Sequence, residues 1–179
     1  MIHAPLPRLD KNPQLKDYLL RYCRLKRGEV WQDDKAGHRV ACLDAASKND
    51  MNLLMNGRLA SLAVQDPPYN IVAFEEKELR EFIAWCRLWV DLTEVALDQS
   101  SSLYVWLGAD QRNGFQPLPD FMIMMRERNF RPRSFITMRN QRGYGTQKNW
   151  MAVRQELLYY MKGDPNFHVD AEYTDIPKY

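Results

Sequence analysis

The sequence predicts an α/β fold in which a mostly parallel sheet is flanked by helices. Short apolar runs alternate with stretches in which apolar residues recur every three or four positions, so strands and helices are expected in alternation. The 179 residues are enough for one domain with a hydrophobic core. Ligands of an open α/β sheet bind beyond the carboxyl ends of its strands, so functional residues are sought there first.

Each predicted element rests on its apolar spacing and on the residues that end it. Gly28 ends the first helix, Ser47 caps the second, and Asn56-Gly57 stops the second. Helices are expected over 12–27, 48–55, 74–95 and 119–128. Strands are expected over the apolar runs 38–43, 59–64, 101–107, 133–138 and 156–161, and the short segment 30–32 precedes a polar turn over 33–37. The segment 139–152, rich in Gly, Arg, Asn and Gln, is predicted to be a loop.

The composition argues against several other classes of protein. Charged residues interrupt every apolar stretch, and Met1–Asp10 has no apolar core of a secretory signal, so the cytoplasm is the expected compartment. The cysteines and histidines are too scattered for a disulfide framework or a zinc site, and no metal is expected.

The net charge of +2 hides an uneven distribution. Residues 126–162 carry nine Lys or Arg against two Glu, whereas residues 66–98 carry eight acidic residues against three basic ones. A basic surface is the footprint expected for a polyanionic partner, although a solvated charged face would give the same pattern.

Three polar segments follow predicted strands and are expected along one rim of the sheet, namely Asp44, Asp66–Asn70 and Gly108–Gln111. The second segment reads Asp66-Pro67-Pro68-Tyr69-Asn70. Its two prolines remove backbone donors but keep their carbonyl acceptors, and a carboxylate and an aromatic ring flank them. This set suits an exocyclic amino group on a flat ring, whose two N–H donors the acceptors would hold while the ring stacks on Tyr69. A Pro-Pro turn with a capping Asp is the structural alternative.

These residues resemble the catalytic motif of DNA adenine-N6 and cytosine-N4 methyltransferases. The string DPPY follows a short apolar strand, and the stretch from Trp31 to Asp44 is similar to the entry of the β-class of that family. The run from Arg142 to Trp150, leading into the strand after Arg154, resembles the loop and strand that follow in these enzymes. The likeness covers roughly 31–179, so residues 1–30 are expected to be a separate helical segment.

The resemblance implies an incomplete Rossmann-like methyltransferase fold that transfers a methyl group from S-adenosylmethionine to a flipped base in double-stranded DNA. It implies catalytic roles for Asp66, Pro67, Pro68 and Tyr69, and cofactor contacts for Asp44 and Asp66. An Asp at the first place of the motif favours adenine-N6. Asp44 has a turn-capping alternative. Nucleic-acid contacts are expected from Asn70, Arg142, Tyr144, Lys148 and Arg154.

The sequence departs from the β-class pattern in one respect. The glycine-rich cofactor motif, Phe-x-Gly-x-Gly, is absent from the 179 residues, and the close pair Gly143-x-Gly145 lies in the predicted basic loop. Without the neighbouring cofactor strand, the run 59–64 would be an exposed apolar edge. A second copy or a separate polypeptide is therefore expected to cover it, or else the chain is a fragment of a longer gene product. The alternatives are a non-catalytic nucleic-acid-binding remnant and a partner subunit of a split methyltransferase.

Overall fold

The computed structural model describes residues 12–68, 77–108, 115–144 and 152–167. The helices are α1 (Pro13–Leu20), α2 (Lys48–Met55), α3 (Leu79–Ala96) and α4 (Leu118–Met125). The strands are β1 (Val30–Gln32), β2 (Arg39–Ala41), β3 (Ala60–Gln65), β4 (Leu97–Trp106), β5 (Arg131–Tyr144) and β6 (Ala152–Lys162).

The main sheet has the strand order β3-β4-β6-β5. β3 and β4 run parallel, with α3 as the crossover between them, whereas β6 is antiparallel to both β4 and β5. The α/β prediction is confirmed, but the sheet is mixed rather than mostly parallel, because the last two strands form one long hairpin.

α3 and α4 cover one face of this sheet and form the core with it. α3 directs Phe82, Cys86 and Trp89 inward at helical spacing, and α4 contributes Phe121, whose ring stacks on Trp89 at a centroid distance of 5.8 Å. The sheet contributes its alternate inward residues, including Leu103 on β4. The long apolar stripe of α3 is therefore explained by its position against the sheet.

β1 and β2 form a separate two-stranded antiparallel sheet in which Trp31 pairs with Val40. Asp33 organises the turn between them, since its carboxylate accepts hydrogen bonds from the backbone of Lys35 and Ala36 at 3.2 and 3.0 Å. The prediction that Asp44 follows a strand of the main sheet is wrong, because β2 belongs to this local hairpin.

The predicted loop over 139–152 is wrong in its first part. Residues 139–144 continue β5, and Tyr144 pairs with Ala152 at the start of β6, after a register irregularity that follows Arg139. The hydrogen bonds of the hairpin thus keep a polar, glycine-containing sequence extended. Arg142 and Tyr144 lie on a strand, and residues 145–151 lie outside the described part of the chain.

In the four ranges given above, no helix is long and apolar enough to cross a bilayer. The same residues contain no group of three or more His, Cys, Asp or Glu side chains placed to hold a metal ion.

Candidate active site at the carboxyl rim of the sheet

The segment Asp66–Pro68, here called the acceptor tip, leaves the sheet at the carboxyl end of β3. Because β3 is parallel to β4 and Gln65 pairs with Val105, the tip lies beside the carboxyl end of β4. The Asp66 side chain is exposed, Pro67 is buried and Pro68 is half-buried. The buried proline anchors the turn while the carboxylate is left accessible to a ligand. Tyr69 and Asn70 lie outside the described residues.

The strand end that holds the acceptor tip is tied to α3. The Gln65 side-chain amide donates to Thr93 Oγ1 at 3.2 Å, and the Thr93 hydroxyl donates to the Trp89 carbonyl at 2.7 Å. Thr93 is buried, so the pair forms a polar link inside the core. The spacing of apolar residues in the sequence did not predict this link between β3 and α3, because Thr93 interrupts the apolar stripe of the helix.

Asp44 lies in a turn that is attached to the same core. Its Oδ1 accepts from Ala46 N at 2.9 Å, and its backbone N–H donates to Asp50 Oδ2 at 2.8 Å. Ala46 packs against the core cluster, so the turn lies against the main body although β2 does not belong to the main sheet. Asp44 is exposed, and its Oδ2 has no hydrogen-bond partner in the described part of the protein.

Glu156 on β6 is the functional candidate that the sequence reasoning missed. Its side chain is 1% exposed, and its carbonyl accepts a hydrogen bond from Leu107 N at 3.1 Å, just past the end of β4. Arg154 Nε lies 3.0 Å from Glu156 Oε1. A buried carboxylate is costly without such a partner. The signal in the sequence was an acidic residue at a position of β6 that alternates with buried Leu158 and Tyr160.

The β5–β6 hairpin extends beyond this rim. β4 ends with Trp106 opposite Leu157, so residues 137–144 and 152–156 project past it, and these residues are here called the basic arm. Within the arm Arg139 pairs directly with Arg154, and both are exposed. Like charges directly opposite each other on a sheet repel, so an anionic partner would stabilise this arrangement.

The structure describes the other predicted nucleic-acid residues only in part. Arg142 and Tyr144 belong to β5 within the arm. Lys148 lies outside the described residues. Of the predicted rim segment 108–111, only Gly108 is described, directly after Leu107.

β3 is an edge strand in the sheet formed by the described residues, and its outer face is apolar. Leu62 is 53% exposed and Val64 is 59% exposed. They lie on the sheet face opposite the helices, because Leu62 pairs with Ser102 and Val64 with Tyr104, whereas Leu103 between them points into the core. The expected exposed apolar edge is thus confirmed in this part of the chain.

The same sheet face carries a stacked pair of tyrosines. The rings of Tyr104 and Tyr159 are 4.4 Å apart and nearly parallel, and the Tyr159 hydroxyl lies 3.2 Å from Ser102 Oγ. Partial burial and the neighbouring Tyr159 raise the pKa of Tyr104 above its ordinary value. This pair extends the apolar face from β3 across β4 to β6.

Comparisons with known proteins show which families and solved structures this chain resembles. A family model of N6/N4 methyltransferases, described as DNA methylase, matches residues 60–178. No curated protein matches the chain at a significant level. The PvuII DNA methyltransferase, which is cytosine-N4-specific, superimposes with a TM-score of 0.57 at 14% identity, over 69% of this chain and 51% of that chain.

A second solved structure, the M1.HpyAVI–SAM complex, has a TM-score of 0.46 at 10% identity, over 70% of this chain and 54% of that chain. The chain therefore spans about half the length of these two solved structures. The likeness to the PvuII enzyme supports an incomplete Rossmann-like methyltransferase fold of the kind that the sequence predicted.

Proposed function

Since this chain belongs to the N6/N4 DNA methylase family, whose members take their methyl group from S-adenosylmethionine, we propose that it carries the target-base half of an adenine-N6 methyltransferase. The observation that carries the proposal is the acceptor tip. Asp66 is exposed at the carboxyl rim of the sheet, and it is followed by two prolines that offer carbonyl acceptors and no N–H donor.

The tip would act mainly by orientation. The amino nitrogen of adenine is a poor nucleophile because its lone pair is delocalised into the ring. Asp66 and the Pro67 carbonyl accept hydrogen bonds from its two N–H groups, which draws the nitrogen toward tetrahedral geometry and frees the lone pair. The nitrogen would then form a bond to the methyl carbon as the bond between that carbon and the sulfonium sulfur breaks, and one amino proton would pass to water after the transfer. Tyr69 stacks on the base, which must be flipped out of the duplex to reach the rim.

The residues that would hold the cofactor fit its chemistry. S-adenosylmethionine, when bound, supplies an electrophilic methyl group on a sulfonium, and it also carries hydroxyl and ammonium donors. Asp44 offers an exposed carboxylate oxygen that accepts no hydrogen bond from the described residues, and its turn packs against the core. Asp66 offers a second carboxylate at the rim. Both are therefore assigned as acceptors for donor groups of the cofactor.

The basic arm would hold the DNA backbone beside the tip. Arg139 and Arg154 are exposed and paired, and Glu156 fixes the Arg154 guanidinium at 3.0 Å. Arg142 and Tyr144 continue β5 within the same arm, and we assign Lys148 and Asn70 to the same contact from the sequence alone. Phosphate contacts of this kind position DNA without reading its sequence. On this proposal the enzyme works in the cytoplasm, where duplex DNA and the cofactor meet.

The apolar edge of β3 supports a second element of the proposal. Leu62 and Val64 expose about half of their surface on an edge strand, which is an arrangement that proteins normally cover. We assign this edge as the docking place for the cofactor-binding half, supplied by a further part of a longer chain, by another polypeptide or by a second copy. The same observation favours an alternative function, in which the chain is a non-catalytic DNA-binding remnant or subunit that completes another methylase.

The experiment measures transfer of a labelled methyl group to duplex DNA, with mass spectrometry of the released nucleosides. The chain is assayed alone and with an extract of the source cells. N6-methyladenine formed in either condition supports the proposal, whereas N4-methylcytosine overturns the adenine assignment. Absence of methylation in both conditions overturns the proposed activity and leaves the binding alternative.

A matched pair of variants tests the role of Asp66. Asp66→Ala removes the carboxylate at the carboxyl rim, and Asp98→Ala removes an exposed carboxylate at the amino end of β4, on the opposite edge of the sheet. Loss of one preorganised hydrogen-bonding group costs about 100-fold to 1000-fold in turnover. Asp66→Ala is therefore expected to lose at least about 100-fold, and Asp98→Ala is expected to retain the parent rate. Equal rates for the two variants would contradict the assignment.

A further inference from the structure

The segment from α1 to β1 presents a basic and aromatic surface that has no role in the methyl transfer proposed at the rim. α1 has no buried residue, and residues 12–29 carry five Lys or Arg against two acidic residues. All five cations are exposed. A helix that stays so exposed is not explained by packing, because most helical stability in proteins comes from an apolar face buried against a neighbour.

The aromatic residues of α1 and the following turn are held in a defined arrangement. The rings of Tyr18 and Tyr22 meet edge to face at 5.6 Å, and their hydroxyls lie 3.1 Å apart. The Arg21 guanidinium lies 4.6 Å from the centre of the Tyr18 ring. Tyr18 is 49% exposed and Tyr22 is 63% exposed. Flat rings are thus offered to solvent beside a fixed positive charge.

An open groove of about 560 Å³ lies between the segment that follows α1 and the β1–β2 hairpin. Its lining residues are Arg24, Leu25, Glu29, Val30, Trp31 and Val40. Trp31 is 53% exposed and pairs across the hairpin with Val40, which is 51% exposed. The groove therefore combines an accessible indole with one arginine and one glutamate, and the five cations of residues 12–29 outnumber the two acidic residues there. Tyr18, Tyr22, Trp31 and the five cations together are here called the N-terminal surface.

We propose that the N-terminal surface binds unpaired DNA. Exposed aromatic rings on which bases stack, interleaved with cations that neutralise phosphates, are the two features by which proteins hold single strands. A duplex hides the faces of its bases, so these rings would gain little from it. An anionic membrane is disfavoured, because α1 has only eight residues and the apolar groups are divided between a helix and a hairpin.

The inference rests on the proposed function only in taking DNA as the partner. Its experiment uses the full chain carrying Asp66→Ala, so that binding is measured without methyl transfer. Fluorescence anisotropy is recorded with a labelled single-stranded oligonucleotide and with its duplex. In this background Tyr22→Ala/Trp31→Ala removes two rings, and Arg24→Ala/Arg27→Ala removes two cations.

The control variant is Arg58→Ala/Arg80→Ala, which removes the same charge from exposed positions elsewhere. The aromatic pair is expected to lose at least about tenfold in affinity for the single strand and little for the duplex. The Arg24/Arg27 pair is expected to lower the salt dependence by about 1.4, since each single-strand phosphate contact contributes about 0.7. The control is expected to leave both quantities close to the parent values.

Three outcomes overturn the inference. They are parental affinity in the aromatic pair, an equal loss in the control pair, and binding to phosphatidylglycerol vesicles as tight as binding to the single strand. These outcomes are distinct from failure of the proposed function. A chain that methylates nothing under any condition, yet loses single-strand affinity through Tyr22 and Trp31, would refute the methyltransferase assignment and support this surface.

Discussion

Of the glycines with a positive φ in the described part of the chain, Gly163 is the one at which an added methyl group is expected to do the most damage. It follows β6 with a φ of +63°, and a Cβ added there would lie 2.2 Å from the Gln99 carbonyl oxygen. That is more than about 1 Å inside an ordinary non-bonded contact. The backbone has little freedom to move away, because the Gly163 carbonyl accepts from Arg131 and Asp164 N donates to Ser100 Oγ at 3.4 Å.

The expected cost of Gly163→Ala has two parts. The left-handed conformation costs a non-glycine residue about 1–2 kcal/mol. Forcing a methyl group into a closed space adds about 1–3 kcal/mol. The sum is a loss of about 2–5 kcal/mol in the free energy of unfolding, which is a large fraction of the stability of an ordinary domain.

Gly57→Ala is the matched control. Gly57 has a similar φ of +75°, but an added Cβ would meet no atom within 4 Å. It should therefore lose only the conformational part, and any effect of Ala on the unfolded chain is shared by both variants. Urea unfolding followed by tryptophan fluorescence is suitable, since Trp89 is 2% exposed and packed on Phe121. Gly163→Ala no less stable than Gly57→Ala would refute the reasoning.

Three further predictions concern buried ionisable groups. Cys23 and Cys42 are exposed, so two thiols should react rapidly with a disulfide reagent in the native protein, and buried Cys86 only after unfolding. Burial raises the pKa of the Cys86 thiol from 9.0 to about 12 and that of Tyr160 from 10.0 to about 12. The folded state therefore keeps these protons to higher pH than the unfolded chain does. The free energy of unfolding should fall as the pH rises from about 9 to 12 through Cys86 and from about 10 to 12 through Tyr160, by up to about 1.4 kcal/mol per pH unit for each group. Urea midpoints measured across that range should show the fall, and Cys86→Ala should reduce its slope to the contribution of Tyr160. For the pair of Arg154 and Glu156, a double-mutant cycle with Arg154→Ala and Glu156→Gln should give a coupling of about 0.5–1.5 kcal/mol, because the arginine is 57% exposed, and strict additivity would contradict the contact.

Local signals in the sequence predicted some elements almost to the residue. The helix 48–55 was predicted within its observed bounds, because the Ser47 side chain accepts from Asp50 N and Asn56 takes a left-handed conformation with a φ of 49°. These capping interactions are local, so the sequence carries them directly. The strand expected over 59–64 was observed at 60–65, for the related reason that a polar turn follows its apolar run.

The arrangement of strands could not be predicted in the same way. A continuous apolar run looks alike in parallel and antiparallel pairs, so the antiparallel insertion of β6 between β4 and β5 left no local trace. Residues 139–144 stay extended because β6 pairs with β5 and not because of their own propensity. The sequence therefore located the acceptor tip but described the basic arm as a loop, and it gave no role to Glu156.

The register of β6 links the two ends of the sheet. Side chains alternate along a strand, so a slip by one residue would place Leu157 in the buried position of Glu156 and turn the carboxylate to the other face. The turn at Gly163, packed on Gln99, fixes this register at the end of β6 remote from the rim. The damage expected from Gly163→Ala is therefore not confined to stability. If the strand shifts by one residue to relieve the contact with Gln99, Arg154 and Glu156 turn together to the other face of the sheet, because they lie two positions apart on β6, and the basic arm loses its cation on the present face.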